Sequence, residues 1–122
     1  MRRQQRLRAH EDFRRVRGRG RSWSHPLLVL FAAPGTSPDA RARIGVSAGR
    51  RVGGAVVRNR ARRRVREAVR LCYHRIEPGW DFIFVVRPAA VGSTFRAIEL
   101  AVTTLLSRAG LLRVETSCSG SP

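Results

Sequence analysis

Arg50-Arg51-Val52-Gly53-Gly54-Ala55-Val56-Val57-Arg58-Asn59-Arg60-Ala61-Arg62-Arg63-Arg64-Val65-Arg66-Glu67 places eight arginines in eighteen residues and still keeps apolar side chains at helical spacing. At about 100° per residue, Val57, Ala61, Val65, Ala68, Val69 and Cys72 share one arc. Asn59, Arg63, Arg66 and Arg70 fall together on the opposite face. A disordered basic tail shows no such segregation. Seven arginines and one acid, Glu67, lie between Arg58 and Arg70, so repulsion between neighbours is unrelieved without an anionic partner. The stretch reads as a folded helix with a cationic outer face suited to a phosphate backbone. Asn59 adds an amide able to bond a base edge or a 2′-hydroxyl.

Outward from this helix the chain alternates between helical and extended patterns. His10 to Arg17 predicts a short helix, with Leu7, Phe13 and Val16 apolar and Gly18 and Gly20 stopping it. The apolar run from Pro26 to Ala33 predicts a strand. Pro34 to Asp39 is turn-rich, and Arg43-Ile44-Gly45-Val46-Ser47 alternates as a second strand, antiparallel to the first if the loop is a hairpin. Beyond Pro78-Gly79, the run Phe82-Ile83-Phe84-Val85-Val86 predicts a central strand covered on both faces. Ser93 or Thr94 is placed to cap a last helix with the stripe Phe95, Ile98, Val102, Leu105, Leu106 and Ala109, closed by Gly110. The order helix, strands, helix, strand, helix gives an α+β fold, a small α/β sandwich. A single domain is expected over residues 1–113, with a disordered Ser-rich tail over 114–122.

Composition narrows the function. At 122 residues and 43% hydrophobic content, the chain is long enough to bury a core and is not a disordered polycation. Its formal net charge of +17 comes from 25 basic and 8 acidic residues, and every basic residue is arginine. Charge of this size opposes folding by self-repulsion, so a polyanionic partner is expected, nucleic acid first. Charge alone does not separate RNA from DNA. No apolar run approaches the ~20 residues that span a bilayer, and Arg2-Arg3 lacks the apolar stretch of an export signal. A cytoplasmic location is expected. Cys72 lies on the apolar arc and Cys118 in the tail, which makes neither a disulfide framework nor a zinc site.

The chain offers no catalytic constellation of its own. Its acids (Glu11, Asp12, Asp39, Glu67, Glu77, Asp81, Glu99 and Glu115) are scattered singly, against the convergence that metal-dependent hydrolysis needs. His10, His25 and His74 have no spacing that brings two together for acid–base cleavage. There is no P-loop and no nucleophile motif.

Taken as a whole, the run Arg50-x-x-Gly53-x-Ala55-Val56-x-Arg58-Asn59-Arg60-x-Arg62-Arg63-x-x-Arg66-Glu67 resembles the signature of the bacterial ribonuclease P protein family, built around Arg-Asn-Arg. The likeness extends to Arg6-Leu7-Arg8, Asp12-Phe13-x-x-Val16, Leu28-Val29-Leu30-Phe31, Arg43-Ile44-Gly45-Val46-Ser47, Gly79-x-Asp81, Arg87-Pro88 and Arg108-Ala109-Gly110-Leu111-Leu112. This resemblance implies a sandwich of the ribosomal protein S5 domain 2 type, with the Arg-rich helix on a left-handed βαβ crossover, against the usual hand.

It also implies a non-catalytic subunit of a ribonucleoprotein endonuclease. In that family a large RNA, with Mg²⁺, removes the 5′ leader of precursor tRNA. The expected partners are that catalytic RNA and precursor tRNA, not DNA and not membrane. The catalytic RNA would be held by Arg50, Arg51, Arg58, Asn59, Arg60, Arg62, Arg63, Arg66 and Arg70. The resemblance places Phe13, Arg17 and Phe31 in a leader-binding cleft, where unpaired bases stack. The chain departs from the family at Arg17, where an aromatic is usual, and at Gly49, where a serine is usual. A guanidinium also stacks on a base. Three readings compete with this one: a ribosomal or other rRNA-binding structural protein, a protein-only ribonuclease, and a membrane-surface protein. The length of the Arg-Asn-Arg signature counts against the first, and the dispersal of acids and histidines against the second.

Overall fold

The run from Phe82 to Val86 is apolar on both faces, and it takes the interior of the sheet. In the computed structural model, which describes residues 6–7 and 10–113, four strands are ordered β1-β2-β4-β3. They are β1 (Arg21–Ser24), β2 (Leu28–Pro34), β3 (Arg43–Ala48) and β4 (Trp80–Val86). β4 pairs antiparallel with β2 and parallel with β3. The helices are α1 (His10–Arg19), α2 (Ala55–Cys72) and α3 (Phe95–Arg108). α2 is the crossover between the parallel neighbours β3 and β4.

Strand alternation divides the core in two. Leu28, Leu30, Ile44, Val46, Phe82 and Phe84 face α2 and α3, and meet the buried stripes Ala61, Val65, Ala68 and Val69 of α2 and Ile98, Val102, Leu105 and Leu106 of α3. Val65 and Val69 are fully buried, each contributing roughly 1.5 kcal/mol or more. Ala33 and Ile83 face the other way, toward Leu7 and Val16, with Phe13, Phe31 and Val85 packed around them. α1 therefore lies on the face opposite α2 and α3. Thr94 caps the N-terminus of α3, its Oγ1 accepting from the Ala97 N–H at 3.1 Å, and Gly110 closes the C-terminal end with φ 74°.

Three features differ from the sequence reading. The loop between β2 and β3 is not a hairpin, because β4, apolar on both faces, inserts between them. Its Gly35 N–H instead donates to the Gly79 carbonyl at 2.8 Å, at the start of β4. A strand not expected from the sequence, β1, pairs with β2 at the sheet edge. Arg21, Ser22 and Ser24 are exposed and polar, and Trp23 alone packs on the core, so the strand shows no apolar alternation. α1 also runs through Gly18 to Arg19, and Gly20 ends it by donating to the Val16 carbonyl. The segment 114–122, expected to be a disordered tail, lies outside the described residues.

Candidate nucleic-acid interface

α2 presents its charge as its periodicity dictates. Ala61, Val65, Ala68, Val69 and Cys72 are buried, and Asn59, Arg60, Arg63 and Arg70 are exposed. The Cys72 thiol is pushed up to about 11 by burial and serves as core filler. Val57 is the exception on the apolar arc, at 36% exposed. It packs instead beside Gly53, where φ is 149° and an added Cβ would fall 2.9 Å from a Val57 methyl. Glycine is thus needed where the turn Arg50–Val52 passes into α2, and that turn leaves Arg50 and Arg51 exposed.

The arginines of this surface differ in how free they are. Arg50, Arg51, Arg60 and Arg63 have no hydrogen-bond or ion-pair partner among the described residues. The Nε of Arg58 is buried and also unpartnered. Arg62 donates to the Asn59 side-chain carbonyl, so Asn59 orients an arginine and keeps only its amide N–H groups for a ligand. Arg70 is held by Glu67 through two bonds of 3.0 and 2.6 Å, and this pairing holds the Glu67 carboxyl below its ordinary range. Arg64 turns inward and donates to the Ser93 carbonyl at 2.9 Å.

Arg66 is pushed below its ordinary value by burial first, then by the charges of Arg6 and Arg62. Arg6 was not anticipated at this surface. It arrives because the Leu7 N–H donates to the Ile44 carbonyl at 2.8 Å, laying Arg6 and Leu7 along the free edge of β3. Local spacing carries no signal for such a pairing.

A second surface lies across the sheet. The Phe13 ring sits on Gly45, where any Cβ would come within 2.5 Å of it. The Arg17 guanidinium lies 5.2 Å from the centre of the Phe31 ring, a cation–π distance. A depression of about 650 Å³ runs along α1, lined by His10, Phe13, Arg14, Arg17 and Gly18. Beyond Phe13 the row Val29–Val85–Ser47 is only half-buried, so α1 leaves part of the sheet open. The structure thus brings Phe13, Arg17 and Phe31 together on the α1 side of the sheet, and places Arg50 and Arg51 in the turn before α2 and Arg58 to Arg70 along α2 on the other side.

Asp81 anchors α1 to the sheet through Arg15. Only 1% exposed, it accepts from Arg43 Nε at 3.0 Å and from an Arg43 terminal nitrogen at 2.8 Å. It also accepts from Arg15, whose other nitrogen reaches the Pro34 carbonyl at 2.8 Å. Asp12 stands 3.5 Å from both arginines. Bonding to Asp81 raises Arg43 above its ordinary value. The sequence reading counted Asp81 among scattered acids and missed this pairing.

A basic α+β domain with a cationic helix on one face and an aromatic–arginine cleft on the other has a matching family. The ribonuclease P family model covers residues 1–110. The ribonuclease P protein component of Herpetosiphon aurantiacus is 51% identical over 111 residues, covering 91% of this chain and 89% of that protein. That of Chloroflexus aurantiacus is 48% identical over 123 residues, covering 100% and 90%. Among solved structures, the Staphylococcus aureus RNase P protein superimposes with a TM-score of 0.80 at 26% identity, covering 89% of this chain and 98% of that one. The Thermotoga maritima RNase P protein gives 0.76 at 27% identity, covering 84% and 96%. The chain belongs to the ribonuclease P protein family. Its role is that of the protein component of ribonuclease P, and the ribosomal alternative is not favoured.

Proposed function

We propose that α2 docks on the catalytic RNA of ribonuclease P while the α1 cleft receives the 5′ leader of precursor tRNA, in the cytoplasm. The observation that carries this reading is the row of guanidinium groups from Arg58 to Arg66, fixed on a helix buried along its other side and preceded by the exposed Arg50 and Arg51. Arg6, Arg62 and Arg66 cluster there without a carboxylate among the described residues. Pre-organised cations lose little freedom on binding a phosphate backbone.

The protein is assigned no chemical step. Among the described residues no three His, Cys, Asp or Glu side chains are grouped so as to hold a metal ion. The reading places Mg²⁺ on the RNA, where it would activate water and stabilise the leaving oxygen. The protein's part is to position substrate: Phe31 and Phe13 offer apolar faces to unpaired bases, and Arg17 and Arg14 offer charge to their phosphates.

Precursor tRNA is the test substrate, incubated with the protein alone, with the catalytic RNA alone at low Mg²⁺, and with both. Cleavage only in the combined reaction is the expected result. Cleavage by the protein alone would overturn the non-catalytic assignment, and no gain on combination would overturn the subunit reading.

A further inference from the structure

Three of the five exposed large apolar side chains among the described residues gather at one place: Val56 at 80%, Val57 at 36% and Val91 at 45% exposed. They wall a slot of about 200 Å³ between the first turns of α2 and the loop before α3, floored by Val86 and Ile98 and rimmed by Arg60. The loop is held in place by the bond from Arg64 to the Ser93 carbonyl. The slot opens on the α2 side of the sheet, not on the cleft beneath α1.

The chemistry around the slot is one-sided. Arg60 lines the slot and has no partner among the described residues. The first turn of α2 has Gly54 as its cap, no side-chain bond to its amides and no acid. An apolar slot edged by a free guanidinium, beside the first turn of a helix, suits a ligand with a flat apolar face attached to an anion. A second copy of this chain would bring another +17 of charge to the same place and be repelled.

We infer that this slot takes an unstacked nucleobase of the RNA that docks on α2, its 5′ or 3′ phosphate meeting Arg60. This rests on the reading of α2 as an RNA-docking helix and adds a base-sized anchor to a surface otherwise made of phosphate contacts. Apolar contact with a base is indifferent to salt, whereas each arginine–phosphate contact is not.

That difference supplies the test. The full chain carrying Val56→Ser and Val91→Ser together keeps its charge and alters only exposed side chains. Its affinity for the catalytic RNA is titrated at several salt concentrations beside Arg63→Ala, with melting temperature recorded for each. The double variant is expected to bind about five- to tenfold more weakly, with an unchanged salt slope and melting temperature. p-Benzoylphenylalanine in place of Val56 is expected to cross-link to one unpaired nucleotide of the RNA.

An affinity within twofold of the parent, while Arg63→Ala weakens binding, overturns the slot and leaves the docking helix standing. Cross-linking to a second protein chain or to an acidic peptide overturns it likewise. If Arg63→Ala has no effect either, the docking reading falls together with the slot.

Discussion

Asp81 joins residues that the sequence keeps far apart, with Arg15 66 positions and Arg43 38 positions away. Removing its charge leaves the Arg15 and Arg43 guanidinium groups with only Asp12, 3.5 Å from each, to offset them. Asp81→Asn is therefore expected to destabilise the fold by about 3 kcal/mol, the low end for a broken buried pair because both arginines are partly solvated. A thermal melt would show this as a fall of ~10 °C, and a shift of only a degree or two would mean the network contributes little. No pattern of local spacing could have shown this contact, which depends on α1 folding back over β3 and β4. The aromatic cleft was legible only through family resemblance, since an apolar strand residue such as Phe31 reads from spacing alone as core. Its ring is half-buried, with Arg17 over its face. Phe31→Ala is expected to weaken binding of leader-bearing precursor by ~1–3 kcal/mol, about 5- to 150-fold, with mature tRNA nearly unaffected. Precursor and mature affinities measured on the same variant decide it, and equal losses for both would remove Phe31 from the leader site.

α2 is the element whose sequence spoke most clearly, because a helix that separates charge from apolar surface does so with a period visible in the chain itself. α3, with its cap and stripe, was legible for the same reason. β1 was not, since an exposed polar edge strand is recruited by its neighbour's hydrogen bonds and not by its own pattern. The missing hairpin has a similar cause: the sequence shows two strands and a loop, while the competition among strands for the sheet centre is settled by β4. Within α2, what spacing could not supply was which arginines are already engaged. Glu67 holds Arg70 by two bonds and stands as the single acid among the helix's arginines. Glu67→Gln is expected to release Arg70 and remove a repelling charge, strengthening RNA binding by roughly two- to fivefold at low salt. Arg63→Ala, by contrast, is expected to weaken binding and to reduce the log–log salt slope by about 0.7–0.9, the share of one phosphate contact. Titrations of both variants over the same salt range would check the two signs, and weaker binding by Glu67→Gln would show that the pair itself shapes the interface.

At the scale of the whole molecule the net charge of +17 acts on folding and on binding in opposite directions. In the free protein it is self-repulsion: burial first, and then the charges of Arg6 and Arg62, push Arg66 down. Salt shortens the range of that repulsion to a Debye length of ~10 Å at 0.1 M. Raising salt from about 50 to about 200 mM is therefore expected to raise the melting temperature of the free protein by a few degrees. The same change weakens attraction to RNA, because every phosphate neutralised releases counterions whose return is favoured by added salt. If the α2 face makes about six to ten phosphate contacts, affinity falls by roughly 10³ to 10⁵ over that range. The two measurements together are more discriminating than either one. A folded surface whose charges were solvated and paired internally would show flat stability and a shallow binding slope. A basic chain held by unspecific attraction would show the steep slope for any polyanion, with no loss of slope at Arg63→Ala. Melting that is indifferent to salt, or a binding slope near zero, would remove the electrostatic account of α2 from which the RNA-docking reading is built.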